Sequence, residues 1–285
     1  MRLGAHVSTA GGLQNAVDRA IELGAETIQF FCSSPQGWAF KPIAKEQADD
    51  FRRRSADAGI GPTFLHGIYL INLGTQSQEN LRKGVESLTN YMHVASAIGG
   101  SGVIFHAGSH KGAGYEGIFG QTVDSIKEIL ANSPPDIWLI IENSAGMGNH
   151  IGSKFAEIGR ILEAVDDSRV KVCLDTQHCF AAGYDLTSTD GVRATMDEFD
   201  IEIGLANLVA VHANDSKVPF ASGVDRHENI GEGEMGINAF IAIMSNPAFL
   251  DIPFILEVPG FDNKGPDKQN MGILRELRFR QGLIE

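Results

Sequence analysis

Eight short apolar runs recur along the chain, at positions 3–7, 27–31, 62–65, 102–105, 137–141, 170–174, 208–211 and 254–256. They are too short for buried helices and lack the strict alternation of a half-exposed strand, so they predict strands of a parallel sheet covered on both faces. Between them apolar residues fall three and four apart, as in Leu13, Ala16, Val17, Ala20 and Ile21 or in Ile126, Ile129 and Leu130. That spacing predicts amphipathic helices. Strand and helix alternate eight times, which favours an α/β fold of the closed (β/α)8 type, a TIM barrel, over an open doubly wound sheet. No Gly-x-Gly-x-x-Gly follows the first run, which weakens the dinucleotide-binding form of the open sheet.

The whole chain, 1–285, reads as one domain. Its ten prolines are scattered, no low-complexity linker interrupts it, and hydrophobic residues make up 43% against 21% charged. This mixture can bury a large core and excludes disordered, collagenous and coiled-coil readings. No apolar run approaches the roughly 20 residues of a membrane span, and the N-terminus has no signal-peptide pattern. Three cysteines, Cys32, Cys173 and Cys179, lie in or beside apolar runs, which suits a reducing compartment, so the expected location is cytoplasmic. The net charge of −13 argues against a uniformly basic surface for a polyanion.

The ends of the runs carry the chemistry. Six consecutive runs are closed by His66, His106, Glu142, Asp175, His212 and Glu257. A barrel gathers the carboxyl ends of its strands at one mouth, so residues 33 to 45 positions apart in sequence become neighbours. Three imidazoles and three carboxylates exceed what one acid–base pair needs, and carboxylates packed this closely repel. Cations among them resolve the conflict. The Asp175-Thr176-Gln177-His178 stretch places His178 one loop turn beyond Asp175, and Asp225-Arg226-His227 adds two more donors. Nitrogen and oxygen donors without thiolate suit Zn2+, and also Mn2+ or Fe2+. Of the other histidines, His93 falls mid-helix, His110 and His150 fall in loops, and His6 closes the first run, with its orientation toward the mouth left open.

These residues lie in stretches that resemble the endonuclease IV family of apurinic/apyrimidinic (AP) endonucleases. Among them are Gly4-Ala5-His6-Val7-Ser8, His66-Gly67-Ile68-Tyr69-Leu70, Phe105-His106-Ala107-Gly108-Ser109-His110, Glu142-Asn143-Ser144-Ala145-Gly146, Asp175-Thr176-Gln177-His178, His212-Ala213-Asn214-Asp215-Ser216-Lys217, Asp225-Arg226-His227 and Leu256-Glu257-Val258-Pro259. The resemblance runs over essentially the whole chain. It implies a trinuclear zinc site: one ion on His66 and His106, Glu142 bridging it to a second on Asp175, His212 and Glu257, and a third on His178, Asp225 and His227. It implies hydrolysis of the phosphodiester 5′ to an abasic site in duplex DNA, leaving a 3′-hydroxyl and a 5′-deoxyribose phosphate, and trimming of blocked 3′ ends. Glu142 and Glu257 would be catalytic, positioning the attacking water as well as binding metal.

The resemblance further implies that the abasic sugar is flipped from the stack, with Tyr69 and Leu70 probing the groove. Asn214, Lys217 and Arg226 are candidate phosphate contacts or, alternatively, orienters of metal ligands. The chain is expected to act as a monomer. Loop 31–38 lacks the Asn and Arg that many relatives carry, and its Trp38 either stacks on a base or caps the barrel; Cys179, Ala213 and Asn229 also depart from the family's pattern. An alternative reading is a divalent-metal sugar isomerase or epimerase of the xylose isomerase type, in which His178, Asp225 and His227 would be surplus. Three divalent ions would offset six of the net negative charges, all at the mouth, which makes DNA a compatible partner for an acidic chain.

Overall fold

The computed structural model describes residues 1–280 and Gly282. In chain order its elements begin with β1 (Leu3–His6), α1 (Gln14–Leu23), β2 (Thr27–Phe30), α2 (Lys45–Asp57), β3 (Thr63–His66), α3 (Gln78–Ala97), β4 (Gly102–His106) and α4 (Tyr115–Ala131). They continue with β5 (Trp138–Glu142), α5 (Phe155–Val165), β6 (Val170–Asp175), α6 (Thr176–Ala182), α7 (Thr189–Glu202) and β7 (Leu208–His212). A hairpin of β8 (Asp215–Ser216) and β9 (His227–Glu228) precedes α8 (Gly236–Ser245), β10 (Phe254–Leu256) and α9 (Lys268–Arg280).

Strands β1 to β7 pair in sequence order and β10 closes the ring between β7 and β1. All eight pairings in the ring are parallel. The predicted barrel is the observed one. Its strands are buried on both faces, as their continuous apolar runs require. The helices enclose the outside: Ala16, Val17 and Ala20 of α1 and Ile126, Ile129 and Leu130 of α4 face the barrel, whereas Ile21 is 56% exposed and does not belong to the predicted apolar face.

Inside the ring, Phe64, Ile104, Ile140, Cys173, Ala210 and Ile255 form a buried cluster separate from the main core. Each lies two positions before one of the six strand-closing residues, and a strand repeats its facing every second residue. The cluster is therefore a floor, and His66, His106, Glu142, Asp175, His212 and Glu257 stand one step above it. The same step leads from Gly4 to His6 and from Thr27 to Gln29.

Several predicted elements shift in detail. Strand β2 stops at Phe30, so Phe31 belongs to the loop, and His178 lies on α6 rather than in a loop turn. The helix starts early because Asp175 is its N-cap: its carboxylate accepts from the His178 backbone N–H at 2.8 Å, satisfying one of the helix's unpaired donors. His93 sits in α3 as expected, with Nε2 3.0 Å from the Asn132 carbonyl. Trp38 packs partly buried against the core, which favours its role as a barrel cap. Among the described residues no helix is long and apolar enough to cross a membrane.

Candidate metal centre

Glu142 is the hub of the mouth. It is 1% exposed, and its Oε2 lies 3.1 Å from His66 Nε2 and 3.3 Å from His106 Nε2. Its Oε1 lies 3.0 Å from His212 Nδ1 and 3.3 Å from His178 Nδ1. Donor atoms able to hold a metal ion gather in three groups, each within 4.8 Å: His66, His106 and Glu142; Glu142, Asp175, His212 and Glu257; and Asp175, His178 and His227. Glu142 and Asp175 each belong to two groups. Asp225 completes the convergence from the rim, with Oδ2 3.3 Å from His178 Nε2 and Oδ1 3.4 Å from His227 Nε2. All nine sequence-predicted residues are thus brought together.

The donors are prepared for a cation. His66 Nδ1 donates to the Gly67 carbonyl at 2.7 Å, and His178 Nδ1 to the Asn143 carbonyl at 3.0 Å. Each bond leaves Nε2 as the nitrogen that faces the carboxylates, where a cation can take the place of its proton. The Nε2 atoms of His178 and His227 are buried without a well-aligned hydrogen bond, a cost that a metal ion removes. An N/O donor set with no sulfur suits zinc or another divalent first-row ion.

Without cations the cluster balances itself with protons. Burial would lift the Glu142 carboxyl, but the His106 and His212 charges hold it well below the usual range. Burial disfavours charge on His178, yet Asp175 and Asp225 keep its pKa well above the ordinary imidazole value. Burial pushes His106 down to about 4 and Asp175 up. The three thiols are unsuited to nucleophilic work at neutral pH, burial raising Cys32 to about 12, Cys173 to about 11 and Cys179 well above the usual value.

Other predicted residues divide. Tyr69 and Leu70 project at the rim, 64% and 39% exposed. Tyr69 is anchored by its N–H to the Pro35 carbonyl at 3.1 Å and by an edge contact with Phe31, centroids 5.3 Å apart. Lys217 and Arg226 are exposed, joined through the Lys217 N–H to the Arg226 carbonyl at 3.0 Å. Asn214 is corrected as a phosphate contact in favour of its alternative role: it is fully buried, donating to Asp175 Oδ2 at 2.7 Å and accepting from the Glu257 backbone at 2.9 Å, so both faces of its amide position carboxylate residues of the candidate site. His6 does face the mouth, its Nδ1 3.3 Å from Glu257 Oε1. His150 lines a small cavity shared with His106 and His178, and His110 Nδ1 accepts from the Gly114 N–H at 3.1 Å.

Residues not singled out in the sequence complete the shell. The Asn143 side chain accepts from the Asp175 N–H at 2.6 Å. Buried Asp215 accepts from the backbone N–H groups of Ser216, Gly231, Gly233 and Met235 at 2.7–3.1 Å. It thereby ties down the segment after β9, whose His227 pairs with Ser216 of β8. Gly233 is required there, because a Cβ would lie 2.4 Å from Asp215 Oδ1. Asp215→Asn replaces one acceptor oxygen by a donor facing these N–H groups. It should cost about 2–3 kcal/mol of unfolding free energy, measured by urea denaturation; unchanged stability would remove Asp215 as the organiser of this segment.

Above the site the mouth opens into a cavity of about 1100 Å³, lined among others by His6, Phe31, Tyr69, Asp225, His227 and Lys264. Its size and ionic floor suit a polar group the size of a nucleotide.

Comparison with known proteins gives a consistent pattern. The family described as "xylose isomerase-like TIM barrel" matches residues 17–279. "Probable endonuclease 4" of Halothermothrix orenii is 39% identical over 276 residues, covering 96% of this chain and 99% of that protein. The crystal structure of endonuclease IV from Thermus thermophilus superposes with a TM-score of 0.87 at 30% identity, covering 98% of this chain and 100% of that one. A D-tagatose 3-epimerase-like protein has a TM-score of 0.77 at 16% identity, with 99% and 98% covered, a likeness of fold alone.

Proposed function

The chain belongs to the endonuclease IV family of the xylose isomerase-like TIM barrels, and from that premise and the mouth geometry we propose that it is a metal-dependent AP endonuclease of DNA repair. It cuts duplex DNA 5′ to an abasic site, leaving a 3′-hydroxyl and a 5′-deoxyribose phosphate, and trims blocked 3′ ends. The observation that carries this reading is the convergence of nine nitrogen and oxygen donors in three overlapping groups around Glu142 and Asp175.

His66 and His106 with Glu142 would hold one ion; Glu142, Asp175, His212 and Glu257 a second; and His178, Asp225 and His227, beside Asp175, a third. Zinc fits this donor set, and when bound the three ions supply Lewis acidity that acidifies water and neutralises phosphate charge. Glu142 and Glu257 orient the attacking water, and the buried floor keeps bulk solvent from approaching from below. No side-chain nucleophile is required. Tyr69 and Leu70 wedge into the duplex where the sugar is extruded, while Lys217 and Arg226 meet the phosphate backbone. The enzyme acts as a cytoplasmic monomer.

Purified protein incubated with a duplex containing one abasic site should cut the damaged strand alone and carry close to three zinc equivalents by elemental analysis. An intact strand under zinc-replete, low-salt conditions would refute the nuclease. Two equivalents or fewer together with aldose–ketose conversion would instead establish the isomerase reading.

A further inference from the structure

The tautomer of His212 is set from outside the metal groups. In His66 and His178 a backbone carbonyl takes the Nδ1 proton and leaves Nε2 for the site. His212 is turned the other way: its Nδ1 faces Glu142 at 3.0 Å and Glu257 at 3.2 Å. Its Nε2 lies 2.8 Å from Oε1 of Gln29. The Gln29 side chain, 0% exposed on β2, also places Nε2 2.7 Å from Glu257 Oε1 and 3.0 Å from His6 Nδ1.

These contacts fix the orientation of the amide. An ionised carboxylate only accepts hydrogen bonds, so the Gln29 atom facing Glu257 is the NH2 group, and the atom facing His212 is the carbonyl oxygen. That oxygen accepts, so His212 Nε2 carries a proton. The neutral imidazole then has its lone pair on Nδ1, among the donors of Glu142, Asp175 and Glu257. The same NH2 group holds Oε1 of Glu257 toward β2 and leaves Oε2 on the side of His212 Nδ1. The second amide hydrogen faces His6 Nδ1, 3.0 Å away.

We propose that Gln29 is a positioning residue that locks His212 in the Nε2-protonated tautomer and Glu257 in its ligating rotamer, so that one buried amide prepares two ligands of the second ion. The proposal rests on the functional reading above. One donor and one acceptor are both needed at this position: Glu offers only acceptors and Leu offers neither. Partners on the far side of a metal ligand are typically worth about 10–100-fold in metal affinity, and Gln29 serves two ligands at once.

Zinc affinity of the wild type, Gln29→Leu and Gln29→Glu is measured by chelator competition, with the His212 ring nitrogens followed by 15N NMR in the metal-free proteins, where no ion fixes the tautomer. Gln29→Leu should weaken the zinc equivalent held through His212 and Glu257 by about 10–100-fold and release the Nε2-protonated signature of His212. Gln29→Glu, which keeps the acceptor but loses the donor, should retain the signature and lose part of the affinity, and it remains informative if Gln29→Leu fails to fold. Wild-type affinity in both variants, or an unchanged His212 signature in a folded Gln29→Leu, overturns the proposal. Wild-type protein that takes up no zinc overturns it as well. Wild-type protein that binds zinc but leaves an abasic duplex uncut overturns the nuclease reading, while the affinity difference between the variants still upholds the role of Gln29.

Discussion

Glu142→Ala should reduce cutting of an abasic duplex by about 1000-fold or more, taking loss of a bridging donor as several kcal/mol of the barrier at tenfold per 1.36 kcal/mol. The size of the effect follows from position. Glu142 is within 3.3 Å of nitrogens of His66, His106, His178 and His212, and no other carboxylate among the described residues meets so many. It is also one of two residues shared between groups. Its removal leaves three buried imidazoles and the partly exposed His106 without their common counter-charge and opens a void at the centre. Glu142→Gln separates these causes, because it keeps the volume and one acceptor but removes the charge. Single-turnover cleavage with saturating enzyme is the appropriate measurement; a Glu142→Ala protein that is folded and cuts at the wild-type rate would remove Glu142 from the reaction.

Chelation of the metals should abolish binding of the abasic duplex as well as its cleavage. The chain carries a net charge of −13, and the mouth adds Glu142, Asp175, Asp225 and Glu257 to whatever charge the phosphates bring. Stripped of cations, this face offers a polyanion carboxylates that protonated imidazoles such as His178 offset only in part, and the nearby exposed Lys217 and Arg226 are few against that field. Fluorescence anisotropy with a labelled abasic duplex before and after chelation, followed by readdition of zinc, checks the point. Affinity should fall by at least about 100-fold, taking an offset of several charges at roughly 1 kcal/mol each near ε ≈ 80 as a lower bound, and return with the metal. Tight binding by the metal-free protein would show that the DNA contact lies elsewhere.

The barrel is legible in the sequence because its strands are buried on both faces and write themselves as apolar runs. The six strand-closing candidates are legible for a related reason: a polar or charged residue at the end of such a run has nowhere to point but the mouth. The same logic reaches His6 and Gln29 once the period of two is counted from Gly4 and Thr27. Gln29 escapes the sequence reading because the apolar run continues to Phe31, while β2 stops at Phe30. A polar residue inside an apolar run then looks like an interruption instead of the strand's contribution to the site. Asn214 allows two readings in the sequence, phosphate contact or orienter, because it follows His212 by two positions; the chain turns inward there and both amide atoms are taken by Asp175 and the Glu257 backbone. The work of Asp215 depends on backbone N–H groups 16 to 20 residues away, a separation that no local pattern reveals.

The layer of Phe64, Ile104, Ile140, Cys173, Ala210 and Ile255 beneath the site also governs traffic. It closes the barrel axis, so ions, water and the sugar-phosphate all use the same entrance. Under the proposed function a duplex seated on the rim would occupy that entrance. Metal exchange and product departure would then compete for one passage, coupling the lifetime of the ions in the site to the residence time of the DNA above them.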